Sequence, residues 1–358
     1  MNAFSCYARL ADLPLRIASY RLERRELPVS SGFVRVSTII HLEGAGEEGL
    51  GEDVTYEALD QDLFQQRFED RTLIGELTLD EFSRHLETRQ LFPEPPRGAA
   101  SRDYRRWAFE SAALDLALRQ AGLSLADAIG RQLAPVRFVV SRRVGSPPSV
   151  APLRQLRDAV PGLTFKLDPT SDWDDAFVGE LQALGGVETL DLKGAYKDTP
   201  VDQPADAELY RRVAETFPEA WIEDPALNDE TDRALEPFRD RITWDAPIHS
   251  VGDIRTRPFH QRCINIKPSR FGRLAELFDA YAFCEGEGIQ CYGGGQFELG
   301  VGRGQIQYLA SLFHPDSPND VSPRLFHKEE NVSSMPGSPM EPRPSRIGFR
   351  WDDGEGEE

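Results

Sequence analysis

The fold is decided by ETLDLK (residues 188–193), AWIED (220–224), ITWD (242–245) and CINIK (263–267), four short apolar runs that each end in a charged residue. Amphipathic segments such as DAELYRRVAETF (206–217) separate them, with apolar residues at helical spacing. Short buried strands that alternate with helices are typical of a parallel sheet.

The same alternation extends outward from these runs. PVRFVV (135–140) and LTFKLD (163–168) precede them, and GIQCYG (288–293) follows. This cadence predicts an α/β fold, a (β/α) TIM-like barrel of seven to eight parallel strands. An open doubly wound sheet is the alternative, but the sequence lacks the glycine fingerprint that would favour it.

The residues before this region predict a separate α+β unit. Residues 16–45 alternate apolar and polar positions, as strands do, and end in the turn-rich GAGEEGLGED (44–53). Asp80 and Ser101 are placed to cap two helices, and Gly122 is placed to end the second. We therefore expect an N-terminal α+β domain over 1–132, the barrel over 133–325, and a C-terminal segment over 326–358 with a disordered acidic tail.

The charge composition excludes some classes of binding partner. The chain has 358 residues, 60 acidic against 41 basic, and a net charge of -19. Nucleic acid and anionic membranes need clustered Lys and Arg, so neither is an expected partner. No secretion signal or membrane span is apparent, and the four cysteines lack metal-ligand spacing. A cytoplasmic protein with reduced cysteines is expected.

Most of the predicted strands end in one or two polar residues. In a barrel the carboxyl ends of the strands build the active site, so these residues are the candidates for chemistry. In chain order they are Lys166, Asp168, Asp191, Lys193, Glu223, Asp245, Lys267 and Glu298. Asp191, Glu223 and Asp245 end three consecutive strands, and three carboxylates at one rim are the oxygen ligands that Mg²⁺ prefers.

Lys267 ends the next strand and is the candidate base. A bound cation nearby would lower the pKa of a lysine and leave it neutral enough to remove a proton. Other interpretations remain open. A strand-end acid is often only a helix cap, and Lys166 with Asp168 fits a plain salt bridge. The glycines from 293 to 304 fit either a tight loop or an anion cradle at a helix N-terminus.

A family resemblance rests on several motifs taken together. LDLKGAY, AWIEDPALND, ITWDAPIHS, INIKPSRFG and YGGGQFELGVGRGQ resemble, in order and spacing, the barrel of the enolase superfamily. They are similar to its muconate-lactonising, o-succinylbenzoate synthase and mandelate racemase-like branch, including N-acylamino acid racemases. GLGEDVTYE (49–57) and FESAALDLALRQAGLSLADAIG (109–130) resemble the same family's N-terminal domain.

The resemblance implies roles for individual residues. It makes Asp191, Glu223 and Asp245 ligands of Mg²⁺ and Lys267 an acid/base, and the pairing of a lysine base with Mg²⁺ is that superfamily's established arrangement. Lys166 matches a lysine that contacts the substrate carboxylate, and Glu298 matches an acid that hydrogen-bonds it. Residues 27–34 correspond to a loop that closes over the substrate. A homo-oligomer would be common for this superfamily.

Three positions depart from the family pattern. Asp168 replaces the second lysine of the family's KxK pair, Lys193 replaces an asparagine, and Ala246 replaces an acid. The loss of a second lysine argues against two-base racemisation, although Asp168 could take part in proton transfer. Lys193 would either weaken the metal site or bind an anionic substrate.

The sequence thus predicts an Mg²⁺-dependent lyase or isomerase that abstracts the α-proton of a small carboxylate to give an enediolate, followed by elimination or cycloisomerisation. The alternative is a non-catalytic or metal-free enolase-like barrel that binds a ligand or partner. An unrelated barrel enzyme, using these groups for glycoside hydrolysis or Schiff-base chemistry, is the third hypothesis.

Overall fold

The N-terminal part of the chain is an α+β unit, as predicted. The structure is a computed structural model that describes residues 6–28, 34–196, 202–327 and 335–352. The elements of this unit are β1 (Pro14–Ile17), β2 (Ser19–Pro28), β3 (Val34–Gly44), β4 (Glu47–Asp53), α1 (Ala58–Arg67), β5 (Gly75–Thr78), α2 (Leu79–Glu87), α3 (Ser101–Ala121) and α4 (Leu125–Ile129).

An antiparallel meander, β2–β3–β4, packs on the long helix α3. The expected turn is shorter than the sequence suggested, because it is confined to Ala45 and Gly46 and the remaining residues form β4. The glycines of β4 serve packing. A Cβ atom on Gly51 would lie 2.0 Å from the Ala108 carbonyl oxygen of α3, so only glycine allows the strand to approach the helix this closely.

The predicted helices are present, with one cap corrected. Helix α2 begins one residue before Asp80, and Thr78 caps it through a reciprocal capping box with Glu81. Ser101 is the first residue of α3 and not its cap. Gly122 ends α3 as expected, with the left-handed backbone (φ 68°) that favours glycine there.

The second part of the chain alternates strands and helices throughout. Its elements are β6 (Val140–Arg142), α5 (Ala151–Ala159), β7 (Phe165–Leu167), α6 (Asp175–Leu184), β8 (Val187–Asp191), α7 (Ala207–Thr216), β9 (Trp221–Glu223), α8 (Asp229–Leu235), β10 (Ile242–Thr243), α9 (Val251–Thr256), β11 (Cys263–Ile266), α10 (Pro268–Phe271), α11 (Leu274–Glu287), β12 (Gln290–Gly293) and α12 (Val301–Phe313).

All strands of this part run parallel to their neighbours. Five form one sheet in the order β10-β9-β8-β7-β6, and β11 pairs with β12. The prediction of an α/β fold with a parallel sheet behind an N-terminal α+β unit is confirmed. Because consecutive strands are neighbours, their carboxyl ends lie side by side.

Backbone hydrogen bonds outside the regular strands connect the two sheets and their outer edges. The amide of Asn265 donates to the Trp244 carbonyl (3.1 Å), which links β11 to the end of β10. The amide of Asp320 donates to Gly293 (2.8 Å), and Val139 donates to Asn319 (2.9 Å). Residues 319–320 therefore bridge the end of β12 and the start of β6.

The C-terminal segment packs on the rest of the chain. Phe349 and Trp351 are buried, and both rings contact Tyr308 of α12. An isolated antiparallel bridge joins Pro344 to Trp351. The acidic residues 353–358, for which disorder was predicted, lie outside the described residues.

None of the four cysteines forms a disulfide bond. Among the described helices, none is long and apolar enough to cross a membrane.

Candidate active site

The candidate residues lie where the parallel strands end. Lys166 is in β7, Asp191 ends β8, and Glu223 ends β9 as the direct register partner of Asp191. All three side chains are buried, and Lys166 is only 2% exposed. The parallel order thus brings together Lys166 and Glu223, which are 57 residues apart in the chain and lie on the two strands that flank β8.

Three buried carboxylates form a tight group at this rim. Oxygen atoms of Asp191, Glu223 and Asp224 lie within 4.8 Å of one another. Asp224 was not among the predicted site residues, because successive strand residues face opposite sides. Its left-handed backbone (φ 47°) breaks that alternation and turns its side chain to the same rim. The one available signal was the Asp-Pro step at the strand exit.

Asp224 supports the next strand end. Its Oδ1 accepts the amide of Asp245 (2.9 Å), and its Oδ2 accepts the amide of Ala246 (2.8 Å). Burial and the repulsion of Asp245 and Asp191 raise its pKa to about 6. Asp245, the third predicted metal ligand, is not within the 4.8 Å group found among the described residues.

Lys166 neutralises part of the carboxylate group. Its Nζ atom donates to Glu223 Oε1 and lies 3.2 Å from Asp191 Oδ2. Although burial lowers the pKa of Lys166, the attraction of these carboxylates raises it well above its usual value. The salt bridge considered from the sequence, between Lys166 and Asp168, is not among the ion pairs of the described residues.

Asp168 pairs with Lys193 instead. The Lys193 ammonium lies 3.4 Å from Asp168 Oδ1 and also contacts Asp191 Oδ2. Burial alone would lower the pKa of Lys193, but Asp191 and Asp168 raise it. The two departures from the family pattern at positions 168 and 193 therefore contact each other.

Tyr292 and Asn265 complete the surroundings of Glu223. The Tyr292 hydroxyl donates to Oε2, and the Asn265 amide approaches the same oxygen at 3.4 Å. Burial nevertheless raises the pKa of Glu223 well above its usual value, with Lys166 acting in the opposite direction. Neither partner was predicted, since a polar residue inside an apolar strand gives no distinct signal.

Lys267 pairs with Asp245. Its Nζ atom lies 2.9 Å from Asp245 Oδ2, and Arg270 Nη2 lies 3.3 Å from the same oxygen. Burial opposes ionisation of Asp245, but these two cations lower its pKa to about 2. Burial lowers the pKa of Lys267, but the attraction of Asp245 outweighs burial and raises it. The lowering expected from a bound cation nearby stays a prediction.

Arg270 was missed by the sequence reasoning, although it lies in the quoted INIKPSRFG motif. It also donates to the Tyr196 hydroxyl (2.9 Å). Within the described part of the chain, Arg270 Nη1 and Asp245 Oδ1 are buried atoms that make no hydrogen bond. Buried polar atoms without partners are costly in a structural cluster and are expected at a binding site.

Glu298 lies at the start of the segment that leads into α12. Its Oε1 accepts the amide of Gln296 (2.6 Å), and its Oε2 lies 3.4 Å from Arg303. The predicted contact with a substrate carboxylate would have to be made beside this arginine. The residue is 3% exposed, so it belongs to the buried part of the site.

The glycine-rich segment does cradle an anion, and that anion belongs to the chain itself. Glu52 of the GLGE motif accepts the amides of Leu299 (2.6 Å), Gly300 (2.9 Å) and Gly302 (3.0 Å). The start of α12 thus holds a carboxylate from the N-terminal unit, as helix N-termini commonly do. This contact joins the N-terminal unit to the start of α12.

Family models cover nearly all of the chain. Residues 132–328 match a family described as "Domain of unknown function (DUF8230) C-terminal domain". Residues 8–128 match the corresponding DUF8230 N-terminal domain. The boundary between the two matches, 128 to 132, lies between α4 and β6, the first strand of the alternating part.

Curated proteins with similar sequences are named o-succinylbenzoate synthase or N-succinylamino acid racemase. The chain is 28% identical over 236 residues to an o-succinylbenzoate synthase of Bacillus subtilis (strain 168). The aligned region covers 62% of this chain and 60% of that protein. The chain thus spans about 60% of the length of this relative.

Solved structures agree in fold. A dipeptide epimerase from Methylococcus capsulatus, in complex with a Mg ion, superposes with a TM-score of 0.67 at 18% identity, covering 86% of this chain and 90% of that one. A muconate cycloisomerase from Pseudomonas fluorescens gives a TM-score of 0.65 at 18% identity, covering 95% and 96%. The resemblance to the enolase superfamily is confirmed.

Proposed function

The chain belongs to the DUF8230 family, and we propose that it is an Mg²⁺-dependent enzyme that removes the α-proton of a small carboxylate to give an enediolate. The reaction then proceeds by elimination or cycloisomerisation. The observation that carries the proposal is that buried carboxylates and the buried Lys267 lie together at strand ends, with Lys267 Nζ 2.9 Å from Asp245 Oδ2. The fold that this chain shares with the enolase superfamily supports it.

We also infer that the parallel strands close into a barrel. The bridges through Asn265, Asn319 and Asp320 support closure, because they connect β10 to β11 and β12 to β6. A closed ring would direct all strand ends into one central mouth.

The residues present fit a divalent cation. Asp191 and Glu223 offer buried carboxylate oxygens, the ligand type that Mg²⁺ prefers. Asp224 uses both oxygens for backbone amides, whereas Asp245 Oδ1 accepts no hydrogen bond from the described residues. Asp245 is therefore better suited than Asp224 to be the third ligand, in agreement with the family pattern.

In this arrangement the ion would hold the substrate carboxylate and stabilise the charge that develops when the α-proton leaves. Lys267 would take that proton. Lys267 is a charged ammonium while Asp245 is its main partner. It would therefore act as a base only when Asp245 binds the metal ion instead. Lys166, already between Glu223 and Asp191, would neutralise the site and orient the substrate carboxylate.

One-base chemistry is favoured by the ion pairs of Asp168, the residue at the position of the family's second lysine. A racemase needs a second acid/base on the opposite face of the α-carbon, and here Asp168 is paired with Lys193 and Arg143. After proton removal, the Lys267 ammonium would assist a leaving group on the same face. Elimination or cycloisomerisation is thus a better match than racemisation.

A metal-free binding protein is the second candidate, because the Lys193 ammonium already contacts Asp191, which a metal would need as a ligand. In that case the ammonium groups would replace the cation permanently. Metal content after purification, and again after chelation, separates the two candidates.

The test of the proposed function is α-proton exchange. N-succinyl amino acids, dipeptides, acid sugars and cyclohexadiene carboxylates are incubated with the protein in heavy water, with Mg²⁺ or with chelator. We expect deuterium uptake into one substrate class, only with Mg²⁺, and with retained configuration. Asp191→Asn is the control and should lose exchange.

Two results would oppose the proposal. Exchange that persists after complete chelation would rule out the metal requirement. Rapid interconversion of enantiomers with deuterium in both would show that a second base operates.

A further inference from the structure

Lys193 holds an unusual position at the end of β8. Its backbone is left-handed (φ 55°), and its own amide donates to Asp191 Oδ1 (3.2 Å). The chain turns back at this residue, so the side chain folds over the carboxylate that precedes it by two positions. The Lys193 Nζ atom lies over the Tyr196 ring, 5.4 Å from the ring centroid.

Asp191 is consequently shared between two ammonium groups. Lys193 and Lys166 both approach Oδ2, the latter at 3.2 Å. An additional divalent cation on the same oxygen would repel an ammonium within hydrogen-bond distance, and this repulsion is large where water is excluded. Asp191 can therefore bind a metal strongly only if an ammonium leaves.

Asp168 provides a place for that ammonium. Its Oδ1 lies 3.4 Å from Lys193 Nζ and accepts no hydrogen bond from the described residues. A small rotation of the lysine side chain would bring Nζ into hydrogen-bond range of Oδ1 while moving it off Asp191. Arg143 approaches the other oxygen of Asp168 (3.4 Å), from a largely exposed position.

We infer that Lys193 is a built-in competitor for the divalent cation at Asp191, and that Asp168 receives its ammonium when the ion binds. The inference rests on the proposed function, since it concerns the same metal site. It explains why the changes at 168 and 193 occur together: an acid without the lysine would add uncompensated charge, and the lysine without the acid would have nowhere to go. The protein should bind its metal weakly and in an Asp168-dependent manner.

The test measures metal affinity directly, by titrating the full chain with Mn²⁺ and following free Mn²⁺ by electron paramagnetic resonance. Lys193→Met keeps the length of the side chain without its charge and should tighten binding at least about tenfold. Asp168→Asn should weaken binding by about tenfold in the natural chain. In the Lys193→Met background, Asp168→Asn should change affinity by less than about threefold, because no ammonium remains to be accommodated.

Two controls separate competition from general charge or folding effects. Arg143→Met removes a positive charge beside Asp168 without touching Asp191, and should change affinity by less than about threefold. Lys193→Arg keeps the charge and should keep the weak binding. Thermal unfolding of each variant verifies that it is folded.

The outcomes distinguish this inference from the proposed function. If Lys193→Met binds Mn²⁺ no more tightly than the natural chain, Lys193 does not compete with the metal. The proposed metal site itself would not be contradicted by that result. If Asp168→Asn weakens binding equally in both backgrounds, Asp168 does not act through Lys193. Absence of binding in every variant, Lys193→Met included, overturns both the inference and the proposed metal requirement.

Discussion

Two clusters of buried charge, one in each part of the chain, differ in how completely their polar atoms are hydrogen-bonded. In the N-terminal unit, Arg105 donates to Asp53 (2.7 Å) and to the carbonyls of Leu91 and Asp60 (both 3.1 Å), between the rings of Phe64 and Phe92. The second oxygen of Asp53 accepts the amide and hydroxyl of Thr55.

The cluster at the strand ends, around Asp191 and Asp245, is also buried, but some of its polar atoms lack hydrogen bonds. Several cations compete for Asp191 and for Asp245, and atoms such as Asp245 Oδ1 and Arg270 Nη1 make no hydrogen bond with described residues. A cluster that only stabilises the fold gains from complete pairing. Incomplete pairing persists where a ligand supplies the missing contacts, and this difference separates the structural cluster from the candidate site.

Removing Lys267 should have the largest effect, and we expect it on turnover. Lys267→Ala should lower kcat by about 10²–10⁴-fold on the substrate found by deuterium exchange, because the proposed base is lost. Arg262→Ala, an exposed change just before the same strand, is the matched control. Near-normal turnover by Lys267→Ala would show that another group is the base.

Removing Arg105 should have the largest effect on stability. Arg105→Met leaves Asp53 buried without its cation and should lower the free energy of unfolding by about 3–5 kcal/mol, measured by urea denaturation. Arg16→Ala, which breaks an exposed pair with Glu76, should change it by less than about 0.5 kcal/mol. If the two variants were equally stable, complete pairing would not distinguish the clusters.

His314 gives a smaller effect that depends on pH. The neutral ring donates from Nδ1 to Asn319 Oδ1 (2.7 Å) and accepts the Tyr281 hydroxyl at Nε2 (3.3 Å). Burial lowers its pKa from 6.5 to about 4. Between these values the unfolded chain binds the proton and the folded chain does not, so stability rises with pH across this window.

The contribution of His314 is fully present above pH 6.5 and is lost as pH falls through about 4. It should amount to about 3 kcal/mol across that range. Urea denaturation of the natural chain and of His314→Gln at a series of pH values measures it, and the variant should show a shallower dependence. Parallel curves for the two proteins would mean that His314 is not responsible.

The fold was predictable from the sequence to the extent that periodicity encodes it. The runs ending at Asp191, Glu223 and Asp245 alternate with amphipathic helices, and that alternation predicts parallel neighbours. Cap residues were less predictable: Asp80 and Thr78 are both good caps, and only the backbone geometry selects Thr78.

The candidate site was predictable as a set of residues but not as a set of pairs. Strand-end position identified the lysines and carboxylates, whereas the assignment of Lys166 to Glu223 and of Lys193 to Asp168 depends on side-chain reach across strands. Asp224 was missed because its left-handed backbone overrides strand alternation. Residues 29–33, within the predicted loop over the substrate, lie outside the described residues.

The most direct test of the central claim is the position of a bound ion. Crystals of the full chain soaked in Mn²⁺ should show an anomalous scattering peak within about 2.0–2.6 Å of oxygens from Asp191, Glu223 and Asp245. Lys193 Nζ should then contact Asp168 and not Asp191. A peak elsewhere, or no peak at saturating Mn²⁺ with Lys193 still on Asp191, would contradict the account.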